Sequence, residues 1–207
     1  MQEPKPYELA DKTILTLNKR AIRLFEASRR KLSVLKFDEL SVIKEVKALY
    51  ESLDSENRKE FIKLFIARYK QVNKDYEDTI DEIAEMYIAR MLSEPNEGRH
   101  YIYETEVLRK RDRWAEAVNS STAKNEEMDK GLKFWSQMTS WYVDFTADGA
   151  NIEALRALGV KEVVWHAQED EKVCRVCEEM DGEIYPINKI PPKPHLHCRC
   201  YVTAFVR

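Results

Sequence analysis

Cys174-Arg175-Val176-Cys177, the turn Glu178-Glu179-Met180-Asp181-Gly182, and His195-Leu196-His197-Cys198-Arg199-Cys200 belong to one stretch that decides how the C-terminal part of the chain folds. It holds all four cysteines of the 207-residue protein and two of its four histidines. Two short chelating turns, each offering two soft ligands and joined by a spacer, suit a tetrahedral zinc ion. The second pair, Cys198 and Cys200, has a single residue between its thiols, so His195 or His197 can stand in for one of them. The candidate metal ligands are therefore Cys174, Cys177, His195, Cys198 and Cys200, around a structural zinc. Two other arrangements of the same residues stay open: reduced thiols tied into a hydrogen-bonded turn, and a pair of disulfides. The start of the chain, Met1-Gln2-Glu3-Pro4-Lys5-Pro6, lacks the apolar core of a signal peptide, so a reducing compartment is expected and disulfides are disfavoured. A catalytic Cys-His pair fits worst, because a nucleophile needs one thiol and a base rather than paired thiols.

Working outward, the hydrophobic period around these turns is that of strands. Val160, Val163, Val164, Trp165 and Ala167 read as one strand, Glu183 to Ile187 as a second after the Asp181-Gly182 turn, and Tyr201 to Val206 as a third. Three short strands cannot bury two faces by themselves. They are expected to pack on the helices just before them, with the cysteine turns stapling their ends.

The order Trp165, Asp170, Cys174 and Cys177, Asp181-Gly182, a proline-rich turn at Pro191-Pro192-Lys193-Pro194, then His195, Cys198-Arg199-Cys200 resembles the C-terminal signature of the phage head-morphogenesis domain, the Mu F-like minor head proteins. The resemblance is close over residues 163–202 and loose over 100–162, and Leu196 stands where the family usually has proline. It implies a virion structural protein acting in head assembly in the host cytoplasm, a minor capsid component associated with the portal and/or the major capsid protein. It also implies that residues 98–207 are the shared domain and residues 1–97 a helical docking arm. Packaged DNA is a further candidate partner, through a basic helix described below. No membrane, small-molecule substrate or enzymatic activity is expected. Seven residues follow Cys200, which leaves no room for an added enzyme domain, and no phosphate loop or Ser-His-Asp order occurs.

Residues 7–94 contain neither glycine nor proline, so the two strongest helix breakers are missing. Ile14, Leu17, Ala21, Leu24, Ser28, Leu32 and Leu35 recur at helical spacing and predict a helix over 11–35. Its other faces carry Lys12, Lys19, Arg20, Arg23, Arg29, Arg30, Lys31 and Lys36 against Glu26 alone. That face is either solvated or a contact for DNA or an acidic capsid surface. The helix is expected to be separable, so that deleting residues 1–36 leaves the rest folded. Asp38 is a candidate cap for a helix over 39–53, Asp54-Ser55 a break and cap for a third helix ending near Val72, and Asp75 a cap for a fourth. These read as a helical bundle or hairpin. Pro95-Asn96-Glu97-Gly98 marks the boundary, and all four tryptophans lie beyond it. Helices are predicted over 101–120 and 126–145, the latter with the aromatic stripe Trp135, Met138, Trp141, Tyr142 and Phe145. Asp148-Gly149 is expected to end it before a short helix that stops at Gly159.

The fold class is thus mainly α with a small C-terminal β element. His100 and His166 read as structural, and Arg199 as a fork for nearby carbonyls or the carboxylate of Asp170 or Asp181. The runner-up function is a small zinc-stabilised nucleic-acid-binding or regulatory module. The near-neutral balance, −3 overall, argues no broad field for nucleic acid.

Overall fold

The computed structural model describes residues 7–34, 39–76, 79–95, 103–168, 173–195 and 198–206. In chain order these form α1 (Glu8–Val34), α2 (Glu39–Val72), α3 (Ile80–Ser93), α4 (Tyr103–Ser120), α5 (Lys124–Ala157), β1 (Glu162–His166), α6 (Arg175–Met180), β2 (Ile184–Pro186) and β3 (Tyr201–Ala204). The chain is mainly helical with a three-stranded sheet near its C-terminus, the α+β class that the sequence predicts.

Three of the expected helix boundaries are corrected. Asp54-Ser55 lies inside α2, which runs unbroken for 34 residues. The Asp54 carboxylate accepts from Arg58 Nε at 2.9 Å, so the would-be cap pairs along the helix instead. Leu53, Asn57, Phe61, Leu64 and Phe65 carry the buried stripe straight through the site. Asp148-Gly149 likewise lies inside α5. A glycine within a helix costs about 1 kcal/mol relative to alanine, and burial of Ala147, Ala150, Ala154 and Leu155 around it outweighs that. Asp75 does not cap α3, which begins at Ile80; the Asp75 backbone N–H is bound by Asn73 Oδ1 at 3.1 Å. The stop at Gly159 is as expected. Its φ is +74°, and Val160 N donates to Leu155 O at 3.1 Å, closing the helix end in a Schellman turn. Asp38 and His100 lie outside the described residues.

Backbone contacts divide the chain into two compact units, each drawn from non-contiguous segments, and residues 1–97 contribute to both. One unit takes residues 13–60 and 87–140. Its core packs Phe25, Tyr50, Trp114 and Trp135 in tilted and edge-on contacts, with ring centroids 5.2 to 5.4 Å apart from Phe25 to Trp114, from Trp114 to Tyr50 and from Tyr50 to Trp135. Asn57 Nδ2 donates to Thr139 Oγ1 at 2.9 Å inside this core, so the buried amide is satisfied. Gly131 on α5 lies against the Trp114 indole, and a Cβ there would overlap the ring. Trp114 cannot swing away freely, because its Nε1 donates to Glu127 O at 2.7 Å. Gly131→Ala is therefore expected to destabilise the protein by about 1–3 kcal/mol despite alanine's better helix propensity, read as a lower urea midpoint. An unchanged or raised midpoint would show that the ring adjusts without cost.

The other unit takes residues 1–12, 61–86 and 141–207 and contains the sheet. The strand order is β2-β1-β3, antiparallel throughout, with Val164 opposite Ile184 and Trp165 opposite Val202. In β1 buried Val163 and Trp165 alternate with half-exposed neighbours, as a half-covered sheet requires. Val163, Trp165 and Val202 pack with Leu155 of α5 and with Cys177, Cys198 and Cys200 into one apolar cluster. The free edge of β3 is tied down from α5: Asn151 Nδ2 donates to Val202 O at 2.9 Å, while Arg68 Nη2 donates to Asn151 Oδ1 at 2.8 Å.

Candidate metal centre

Each cysteine turn has a local reason for its shape. The first is not a plain turn but the start of the six-residue helix α6, a refinement of the sequence reading. Cys174 is its N-cap, and the Cys174 Sγ accepts the Cys177 N–H at 3.4 Å. One sulfur at the cap and one in the first turn face the same side. Asp181 ends the helix, and its Oδ1 accepts the Ala167 N–H at 2.7 Å while Gly182 N donates to Trp165 O at 2.8 Å. The first cysteine pair is thereby fastened to the end of β1. The second pair stands just before β3, itself paired to β1. The central strand thus brings two chain segments about twenty residues apart into register.

All five predicted ligands meet here. Cys174, Cys177 and His195 form one group of donors, and Cys177, Cys198 and Cys200 a second, with the donor atoms of each group within 4.8 Å of one another. Cys177 Sγ is 3.4 Å from His195 Nε2 and 3.5 Å from Cys198 Sγ. A tetrahedral zinc with Zn–S near 2.3 Å has S···S edges of about 3.8 Å and S···N edges of about 3.5 Å. The donors are therefore spaced as a closed metal site needs, and their types fit a soft or borderline ion. Cys177 belongs to both groups and is the corner they share. The cluster can hold a metal ion. Cys177, Cys198 and Cys200 are buried, Cys174 is half-buried and His195 is exposed. His197 lies outside the described residues.

As thiols, these groups resist ionisation to different degrees. Burial, with hydrogen bonds given by its S–H to the neighbouring sulfurs, pushes the Cys177 thiol far up. Burial pushes Cys198 up to about 11. The Cys177 backbone N–H lowers Cys174. A bound cation reverses this order, since a coordinating thiol gives up its proton to the metal.

Several partners of the second cysteine turn come from positions with no sequence signature. Tyr7, 2% exposed, shares its single O–H between two acceptors, Cys200 O at 2.7 Å and Asp148 Oδ1 at 2.8 Å. Burial first, then the Asp148 carboxylate, raises its pKa, so it stays a donor. Lys193 Nζ donates to Cys198 O at 2.9 Å, pairs with Asp148 Oδ2 at 2.5 Å, and also donates to the Tyr7 oxygen. Burial, then neighbouring Asp148, pushes the Asp144 carboxyl up to about 7. Arg199 pairs with Asp11, at 3.2 Å, and its guanidinium lies over the Tyr7 ring. Of the two expected carboxylates, Asp181 is instead engaged by Ala167 N–H, and Asp170 lies outside the described residues. A separation of 188 residues hides the Arg199–Asp11 pair from any local reading.

His166 is structural, as expected. It stacks on Tyr201 at 5.0 Å, and its Nε2 is 2.8 Å from Thr203 Oγ1. In the basic face of α1, Lys12 pairs with Glu8, Arg20 with Glu56 and Glu60, Arg29 with Asp129, and Lys31 with Glu45. Among the described residues, no helix is long and apolar enough to cross a membrane. Compared with protein-family models, curated proteins and solved structures, the chain finds no match.

Proposed function

We propose that this chain is a phage minor head protein of the Mu F-like kind, a structural component that works in head assembly against the portal and/or the major capsid protein. The observation that carries the reading is the packing of the signature residues. Trp165, Cys177, Cys198 and Cys200 are all buried in one cluster on the three-stranded sheet, and the Asp181-Gly182 turn fastens the first cysteine pair to β1. Residues that resemble a family signature in sequence thus share one structural task, which chance similarity would not require. On this reading the metal, with zinc as the ion, is structural: when bound it cross-links two turns that the small sheet holds weakly. The protein then needs no catalytic residue, and its product is an assembled particle.

The basic face of α1 lends less to a DNA contact than its composition suggests. Among the described residues of that face, Lys19, Arg23 and Arg30 enter no ion pair, while the other four are matched by acids of their own unit or helix. Neutralised cations release few counterions on binding a duplex.

The test is co-expression with portal and major capsid proteins taken from the same genome, followed by sedimentation of the particles. The expected result is that the chain sediments with the particles at a few copies each and survives a salt wash. Particles that form without it, together with a steeply salt-dependent affinity for duplex DNA, would replace this reading by the zinc-stabilised nucleic-acid-binding module.

A further inference from the structure

The second cysteine turn is held from outside by a set of contacts that a metal ligand turn uses and a simple surface turn does not. The backbone carbonyls of two candidate ligands are both occupied, Cys198 O by Lys193 Nζ at 2.9 Å and Cys200 O by the Tyr7 hydroxyl at 2.7 Å. The Lys193 ammonium has three N–H bonds and meets three acceptors: Cys198 O, the Tyr7 oxygen and Asp148 Oδ2. Asp148 in turn reaches Tyr7 through Oδ1 at 2.8 Å, so one carboxylate joins the two donors. Lys193 and Tyr7 are well shielded, the Lys193 side chain being 14% exposed and Tyr7 2%. Such contacts are stronger and more directional than the same pairs in water.

We propose that Tyr7, Lys193 and Asp148 form the outer shell of the metal centre, fixing the Cys198-Arg199-Cys200 turn so that its sulfurs meet the ion already oriented. The inference rests on the metal reading of the cysteine cluster. Two effects follow from the geometry. Fixing both carbonyls removes backbone freedom that the turn would otherwise lose on binding. A divalent ion held by three or four thiolates is also net negative, and Lys193 beside it offsets that charge. Outer-shell partners of this sort characteristically alter metal affinity by about 10–100-fold when removed. These are positioning residues, since none of the three touches the ion.

The experiment is a titration of metal-free, reduced full-length protein with Co2+, followed by the thiolate-to-cobalt charge-transfer absorption, then competition with Zn2+. Tyr7→Phe and Lys193→Met are compared with wild type and with Lys189→Met, a substitution of an exposed lysine in the same loop region. Affinities are compared between proteins whose far-UV circular dichroism matches at saturating metal. Lys193→Arg, which keeps the charge and several donors, serves as the variant least disturbing to the fold. The expected result is about 10–100-fold weaker binding in Tyr7→Phe and Lys193→Met, a smaller loss in Lys193→Arg, and no change in Lys189→Met. Wild-type affinity in both Tyr7→Phe and Lys193→Met overturns the outer shell while leaving the metal centre intact. Absence of any cobalt band in the wild type overturns the metal centre itself, and the outer shell with it.

Discussion

Cys177→Ser is expected to unfold the sheet-bearing unit under conditions where Lys189→Ser leaves it unchanged. Cys177 is the one donor common to both ligand groups, so its loss breaks both of them. Structural zinc contributes on the order of 10 kcal/mol to small domains at neutral pH, and loss of one thiolate removes much of that. The sheet cannot compensate, because its strands span five, three and four residues. Without a metal, the same substitution buries an imperfectly paired hydroxyl among sulfurs and costs roughly 1–3 kcal/mol. The two cases are far enough apart to be told by one urea titration. A strong chelator should reproduce the effect on wild-type protein and do nothing further to Cys177→Ser. The unit built from residues 13–60 and 87–140 contains none of the donors, so its aromatic near-ultraviolet signal should outlast the loss. Protein purified under reducing conditions with no zinc and four titratable thiols would remove the metal from this account.

The site was more legible than the fold around it. Cysteine spacing is a local property, and the four cysteines it singles out come together in space with His195, one of the two histidines it offered. The strands were legible for a similar reason: Val163, Val164 and Trp165 make a short run of strand formers, and Gly159 stops the helix before them. Helix continuity was less legible, because Asp54-Ser55 and Asp148-Gly149 carry genuine cap and break chemistry. Tertiary burial of Leu53, Phe61, Ala147 and Ala150 overrode that local preference in both places. Least legible were the contacts between distant segments. Tyr7 is an unremarkable residue ahead of a helix until Asp148, Lys193 and Cys200 are brought around its hydroxyl. The partners of Arg20, Arg29 and Lys31 on the basic face of α1 were hidden for the same reason, since Glu45, Glu56, Glu60 and Asp129 lie elsewhere in the chain.

Deletion of residues 1–36 is expected to abolish cooperative folding, the reverse of what a separable basic helix would give. Burial of α1 decides this. In one unit it supplies Leu17, Ala21, Phe25, Ser28 and Leu32, each no more than 6% exposed, and Phe25 is one ring of the cluster with Trp114. In the other unit its first turn supplies Ala10, fully buried, just after Tyr7. Fully burying a large apolar side chain is worth about 1.5–3 kcal/mol. Leu17, Phe25, Leu32 and Tyr7 together therefore approach the roughly 5–15 kcal/mol by which ordinary domains are stable. Deletion also uncovers the Trp114 ring of α4 that Phe25 covers, which favours aggregation. Phe25→Ala isolates the largest part of the effect without shortening the chain, and is expected to cost about 3–5 kcal/mol. Far-UV circular dichroism and urea unfolding read both. A soluble truncated protein with a sharp unfolding transition would show that the remaining helices repack without α1. That result would return the basic helix to the role of a detachable docking arm, with Lys19, Arg23 and Arg30 as its first candidates for contact.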